Sequence, residues 1–391
     1  MNRKISFLGF IIIGVMMFGC GKEPPKPETP AQTKDLTLGA YYYPIAWNKN
    51  NLRQKLVPAQ EPFMGSYDCR REPIIKQHLT WARDAGIDFF IMQWWGKGTY
   101  SDVTLKQNIA PYLTKEKSDM KFCVSYLTPY IHKTLNFETI LDRRAEGEML
   151  ANLVYVGQNY FNHPNYLKIN NKPVVFMYLS RLLKTEGDYA KIFNRIRMVL
   201  KEKTKQDIYL VGDEVFWTEP DYARIAQFDA ITVYNMYGPD KYSGYAGESG
   251  FLKDMDEAFA RYSKIARDLN KAFIPNVMPG FNDRGVPDEG KIGLQQQHYI
   301  IPRGFSLANK DEGALYKEYF KLAKKYASPE LNIIAITSWN GWKEDTQIEP
   351  IKESKASSRH PNEMTNGYEY EPYGNKYLEL TRSEKAAVKI K

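Results

Sequence analysis

Between residues 38 and 381, short apolar runs alternate with longer segments whose apolar residues recur at helical spacing. The runs occupy residues 38–44, 88–95, 120–127, 172–179, 207–215, 230–237, 273–280 and 332–340. They are rich in β-branched and large apolar residues with little polar alternation, which suits strands covered on both faces, as in a parallel sheet. Segments 73–85, 137–160, 189–204, 252–269 and 313–326 carry the helical pattern. Strands each followed by a helix predict an α/β fold of the closed (β/α)8 barrel type, with an open doubly wound sheet as the structural alternative. No short-period repeat and no domain boundary interrupts residues 37–382, which are expected to form one domain.

In such barrels ligands and catalytic groups gather at the carboxyl ends of the strands. Those ends are unusually aromatic here. The first carries Tyr41, Tyr42, Tyr43 and, just beyond, Trp47; the second carries Gln93, Trp94, Trp95 and Gly96; the fifth carries Asp213, Glu214, Phe216 and Trp217. The sixth ends in Tyr234-Asn235-Met236-Tyr237, and the loop after the seventh carries Arg284, a candidate bidentate donor. Any one ring is more often core packing than ligand contact. As a set at one rim they point to a saccharide cleft, because sugars stack an apolar C–H face and hydrogen-bond around its edge.

The densest stretch is residues 331–350. A buried strand runs into Ser338-Trp339-Asn340-Gly341-Trp342, and Glu344, Asp345 and Glu349 follow at once. Acids beside two indoles suit saccharide chemistry; the plain alternative is a helix start whose acids favour its dipole.

The first residues stand apart. A basic Asn2-Arg3-Lys4, an apolar run at 5–18 and Gly19-Cys20 read as a bacterial lipoprotein signal over 1–19, with Cys20 as the lipidated residue. Met17-Phe18 departs from the usual lipobox, and a plain secretory signal or membrane anchor is the alternative. Residues 20–36, with four prolines, form an extended tether, and 383–391 a charged tail. The protein is thus expected outside the cytoplasm, held to an outer membrane or cell surface by lipid, with the periplasmic side as the other placement.

Composition adds little. The chain has 391 residues, 43% hydrophobic and 26% charged, as an ordinary globular protein does. A net charge of +8 spread over scattered lysines reads as surface solvation, and no motif supports nucleic-acid binding. Five single histidines give no metal-site spacing, so neither metal nor cofactor is expected. Of the remaining cysteines, Cys69 and Cys123, the second sits in an apolar run and reads as a buried thiol rather than half of a bridge.

Taken together, these residues resemble glycoside hydrolase family 99, the endo-α-mannosidase and endo-α-mannanase group. The carriers are Gly39-Ala40-Tyr41-Tyr42-Tyr43-Pro44, Asp84 through Phe90 leading to Trp94-Trp95-Gly96, Lys172 through Phe176, and above all Thr337 through Pro350. The resemblance implies a metal-independent barrel that cuts within α-mannose-containing glycans with retention of configuration. One glutamate assists the sugar's own 2-hydroxyl as internal nucleophile, and a second is general acid and then base. Relatives read Asn-Glu-Trp-x-Glu where this chain has Asn340-Gly341-Trp342-Lys343-Glu344. The second glutamate is kept as Glu344, while the first is replaced by Gly341, which cannot take a proton. An acid near the end of strand three in relatives is also missing from Tyr126-Leu127-Thr128.

Three functions follow as expectations. The first is a hydrolase with Glu344 as general acid/base and Asp213, Glu214 or Asp345 as replacement carboxylate. The substrate would be held by Tyr42, Tyr43, Trp94, Trp95, Tyr234, Asn235, Arg284, Trp339, Asn340, Trp342 and Glu349. The second is a glycan-binding barrel that has lost turnover. The third is a glycosyltransferase-like polysaccharide assembly protein, against which export weighs because nucleotide-sugar donors are cytoplasmic. Each takes an oligosaccharide or polysaccharide partner, and the protein is expected to be a monomer.

Overall fold

The computed structural model describes residues 35–48, 59–128, 139–234, 236, 250–282, 300–301, 303, 311–355 and 370–387. The leader, Cys20 and its tether to residue 34, Asn235, Arg284 and residues 388–391 of the tail lie outside the described residues.

Strands and helices alternate as the apolar pattern predicts. β1 (Thr37–Tyr42) is followed by α1 (Glu72–Asp84), and β2 (Phe89–Trp94) by α2, a run in three pieces, Tyr100–Thr104, Leu105–Ile109 and Ala110–Lys115. β3 (Lys121–Leu127) leads to α3 (Arg143–Tyr160), β4 (Lys172–Tyr178) to α4 (Tyr189–Thr204) and β5 (Tyr209–Asp213) to the short α5 (Tyr222–Ile225). β6 (Ala230–Thr232) precedes α6 (Gly250–Asp268). β7, in two pieces (Ala272–Ile274 and Asn276–Val277), precedes α7 (Ala314–Tyr326), and β8 (Ile333–Ile336) precedes α8 (Lys376–Ala386). Asp142 and Asp188 cap α3 and α4 by accepting from the Ala145 and Ala190 amides, which start those helices where the polar residues interrupt the apolar pattern.

Every ladder between these strands is parallel, and the sheet closes. Pro275, which lacks an N–H, divides β7: its first piece pairs with β6 and its second with β8. β8 in turn pairs with β1, where Ala40 stands opposite Ile336 on one side and Phe90 of β2 on the other. The fold is therefore a (β/α)8 barrel.

Successive residues of a strand face opposite sides of the sheet, and this decides where the aromatic rings go. Tyr41 points into the barrel, edge-on to Phe176 of β4 and Tyr234 beyond β6. Tyr42 points the other way, against Phe90 and against His78 of α1. Gly39 leaves space for the Phe89 ring, which would lie 2.2 Å from any Cβ built there. The aromatic C-terminal segment packs on the barrel: Tyr377 of α8 is buried edge-on to Tyr316 of α7. Cys69 and Cys123 are both free thiols and both buried.

Candidate active site

The chain leaving β8 folds back on itself as a closed loop. The Ser338 amide donates to the Thr346 carbonyl (2.7 Å), and the Ile348 and Glu349 amides return to the Ser338 and Trp339 carbonyls (2.9 Å each). Neighbouring strand ends fix its root: Trp339 N–H donates to the Tyr41 carbonyl (2.8 Å), and Thr337 Oγ1 to the Tyr234 carbonyl (2.7 Å). Asp345, at the tip, has a left-handed φ of 54°, which an aspartate tolerates better than most side chains. The result is a rigid turn at the carboxyl rim of the barrel.

Glu344 sits on this turn, half-buried. Its Oε2 accepts from the Tyr234 hydroxyl at 3.5 Å, and Tyr234 is itself hydrogen-bonded to the Tyr43 hydroxyl. Burial raises the Tyr234 pKa, with Tyr43 and Glu344 adding to it, so the phenol stays a donor to the carboxylate. Tyr178 packs edge-on to Tyr234 with centroids 4.8 Å apart. The arrangement is a carboxylate at a barrel rim among phenol rings, able to exchange a proton with a group docked over it.

Gly341 stands where the family resemblance leads one to expect a glutamate. A Cβ there would lie 2.3 Å from Thr346 Oγ1 and 2.4 Å from Ser338 Oγ, two hydroxyls that hydrogen-bond each other at 2.9 Å. The Gly341 amide donates to Ser338 Oγ at 2.7 Å. Space for a side chain at this position is thus filled as well as vacated.

The other carboxylates singled out in the sequence are engaged elsewhere. Asp213 is buried and accepts from the Leu179 and Tyr234 amides (3.0 Å each) and from Arg181 (3.4 Å). Burial raises its pKa against the opposing effect of Arg181 and those amides. Glu214 is buried in a two-point pair with Arg224 (2.9 and 2.8 Å) and accepts from Ser180 Oγ (2.7 Å). Burial pushes it up and the guanidinium opposes this. Asp213 pins the β4, β5 and β6 ends together, and Glu214 ties β5 to the segment after β4 and to α5. Asp345 is buried, and its charge acts on Arg303 and Tyr370.

The rings divide by strand parity. Tyr43 and Tyr234 meet at Glu344, and Trp95 is 37% exposed beside the loop after β2. Tyr42, Trp94, Trp339 and Trp342 are inside the packing instead, as is Asn340. Trp94 lies between β2 and the helices, stacked on Tyr155 of α3, its indole N–H on Asp102 (2.8 Å). Asn340 braces the Tyr43 backbone, accepting from its N–H (2.8 Å) and donating to its carbonyl (3.0 Å). Glu349 is fully buried, accepting from Tyr67 (2.6 Å) and Trp342 Nε1 (2.8 Å), with His78 Nε2 at 3.0 Å. Its side chain is thus enclosed by Tyr67, Trp342 and His78.

Sequence reasoning missed His78, Tyr67 and Arg303, and it gives Asp102, on the loop after the second strand, no role. His78 left a signal, since it falls between Ile74 and Ala82 on the buried face of α1. Arg303 left none. It is buried with its guanidinium over Tyr373 and Tyr377 (4.8 and 5.3 Å) and donates to the Asp345 carbonyl (3.0 Å). Among the described residues no group of three His, Cys, Asp or Glu side chains is placed to hold a metal ion.

Comparison with known proteins agrees with this architecture. The family model described as glycosyl hydrolase family 99 matches residues 38–388. The mouse glycoprotein endo-alpha-1,2-mannosidase is 23% identical over 345 residues, 82% of this chain and 62% of the mouse protein, and the rat protein of the same name is also 23% identical. The chain thus spans about 62% of the length of these relatives. Among solved structures, the family 99 endo-alpha-mannosidase of Bacteroides thetaiotaomicron superposes with a TM-score of 0.62 at 21% identity, covering 90% of this chain and 97% of that one, which bears on the fold. With the match running through nearly all of the barrel and its C-terminal helix, the chain belongs to glycosyl hydrolase family 99.

Proposed function

We propose that the protein is a glycoside hydrolase that cuts within α-mannose-containing glycans, with Glu344 as general acid and then general base. The observation that carries this reading is Glu344 at the barrel rim, half-buried and hydrogen-bonded to Tyr234 in a cluster with Tyr43. Family membership and the names of the relatives supply the substrate class.

In the first step the Glu344 carboxylic acid protonates the leaving glycosidic oxygen as the C1–O bond breaks and the sugar's own 2-oxygen closes onto C1, its proton passing to solvent. The resulting carboxylate, held by the Tyr234 O–H, then takes a proton from water as the water oxygen bonds to C1 and the bond from C1 to the 2-oxygen reopens, the 2-oxygen regaining a proton from solvent. The sugar's 2-hydroxyl has no carboxylate at position 341 to assist it, and losing a positioned base typically costs about 10²–10⁴ in rate. Slow turnover is therefore expected. We further propose an exported lipoprotein, lipidated at Cys20 and acting as a monomer on surface or periplasmic glycans; fatty-acid labelling lost in Cys20→Ala tests the anchor.

A second reading, a glycan-binding barrel without turnover, draws support from Gly341 and from the engagement of Asp213 and Glu214 with other donors. One experiment separates the two. Wild type and Glu344→Gln are incubated with α-mannan and mannose oligosaccharides, following both binding and released products. The hydrolase reading expects product from wild type only, with binding kept in both. Binding with no product from wild type over long incubation establishes the second.

A further inference from the structure

Glu349 is a fully buried carboxylate that the chemistry above does not use. Two routes lead from it toward Glu344, one through a hydrogen bond and the polypeptide and one through hydrogen-bonded residues across the rim. Along the polypeptide, Oε2 accepts from Trp342 Nε1 at 2.8 Å, fixing the indole two residues before Glu344. Across the rim, the same oxygen accepts from the Tyr67 hydroxyl at 2.6 Å, and Tyr67 in turn accepts from Asn340 Nδ2 at 3.3 Å. Asn340 clamps both backbone groups of Tyr43, whose hydroxyl meets Tyr234, the donor to Glu344.

The other oxygen, Oε1, meets His78 Nε2 at 3.0 Å. A carboxylate only accepts, so this contact requires hydrogen on Nε2. His78 Nδ1 then lies 2.9 Å from the Tyr42 hydroxyl, which also touches the Cys69 thiol at 3.3 Å. His78 therefore anchors Glu349 to α1 and β1, elements outside the turn. The Tyr373 hydroxyl holds the Glu349 carbonyl (2.8 Å) and so ties the same residue to the segment before α8.

We propose that Glu349 is the positioning residue for Glu344: one buried carboxylate, held from behind by His78, orients the turn through Trp342 and the phenol cluster through Tyr67 and Asn340. It acts through these partners and touches no substrate. The inference deepens the proposed hydrolase reading and rests on it for its kinetic arm. Misplacement of a reacting group by about 1 Å costs on the order of 10²-fold in rate, so the effect belongs in kcat.

The test compares Glu349→Gln, which keeps the volume, with Tyr67→Phe and Trp342→Phe, each of which cuts one arm. Glu349→Gln is expected to lower kcat on α-mannan by about 10–100-fold with KM within about twofold. In double-mutant cycles, Tyr67→Phe and Trp342→Phe should each lose far less in the Glu349→Gln background than in wild type, because residues joined through one group are not additive. Additive losses, or a rise in KM at unchanged kcat, overturn the proposal. A crystal structure of Glu349→Gln decides it without turnover: the Trp342 indole and the Glu344 carboxylate should move off their wild-type positions. Unmoved side chains overturn it. Absence of turnover in wild type overturns the hydrolase reading alone and leaves the crystallographic arm to decide this one.

Discussion

Placing a carboxylate at position 341 would give the pair of glutamates that the family resemblance leads one to expect, and the structure argues that it fails. In Gly341→Glu the new Cβ would lie 2.3 Å from Thr346 Oγ1 and 2.4 Å from Ser338 Oγ. Real contacts of that kind are more than 3 Å, so both hydroxyls have to rotate away. Doing so breaks their mutual bond and the bond from the Gly341 amide to Ser338 Oγ. Two buried hydrogen bonds at about 0.5–1.5 kcal/mol each give ~1–3 kcal/mol. Overpacking a closed turn adds ~1–3 kcal/mol, for a total of about 2–6 kcal/mol. At roughly 2 °C per kcal/mol for a large domain, the thermal midpoint should fall by about 4–12 °C. The new side chain would start against the Ser338–Thr346 pair with no room prepared for it, so oligosaccharide release should not rise.

Scanning fluorimetry and product analysis on Gly341→Glu and Gly341→Ala read this out. The alanine carries only the Cβ and should show most of the loss, part of which Ser338→Ala should recover in the double variant. A Gly341→Glu protein as stable as wild type and faster on α-mannan would refute the reasoning, because the turn would then have opened to present the new acid.

Two further perturbations follow from buried or linked charges. Burial works to raise the Asp68 pKa, but hydrogen bonds from Arg70 and Tyr100 outweigh it and bring it from 3.8 to about 2. A carboxylate depressed in the fold contributes stability that is present above its unfolded pKa and lost as pH falls through the folded value. Acid titration of stability should therefore show a component lost from near 3.8 down to about 2, and Asp68→Asn should remove it. Arg303→Met removes the cation beside buried Glu312 and the donor to the Asp345 carbonyl. Stripping one partner from a buried pair costs about 3–5 kcal/mol, which chemical denaturation should detect; a loss below about 1 kcal/mol would mean that Tyr377, 2.6 Å from Glu312, holds the acid without it.

Much of the barrel is legible in the sequence because its strands are buried on both faces and carry continuous apolar runs. The seventh shows where this fails: residues 273–280 read as one strand, yet the fold breaks it at Pro275 so that its halves pair with different neighbours. Burial on both faces also hides which way each ring points. In Tyr41-Tyr42-Tyr43 and Trp94-Trp95, adjacent rings go to opposite sides of the sheet, so proximity to the rim in sequence cannot separate cleft from core. Tyr43 meets Tyr234 and Trp95 is partly exposed, while Tyr42 and Trp94 face the helices.

Glu344 is marked as a candidate by its neighbours in the chain, because a strand end followed by indoles and acids is a local pattern. Its support is not marked in that way. The contacts that hold Glu349 come from Tyr67 and His78, separated from it by 282 and 271 residues, and nothing in the spacing of those residues signals a meeting. A closed barrel brings its first and last strands side by side, so the segments that follow β1 pack against the turn that follows β8. Closure is thus what converts two distant stretches of sequence into one cradle. The same closure explains why Glu349, five residues after Glu344 in the chain, is bonded to residues of the segments after β1: at the seam of the barrel, the loop after β8 meets the loop and helix after β1.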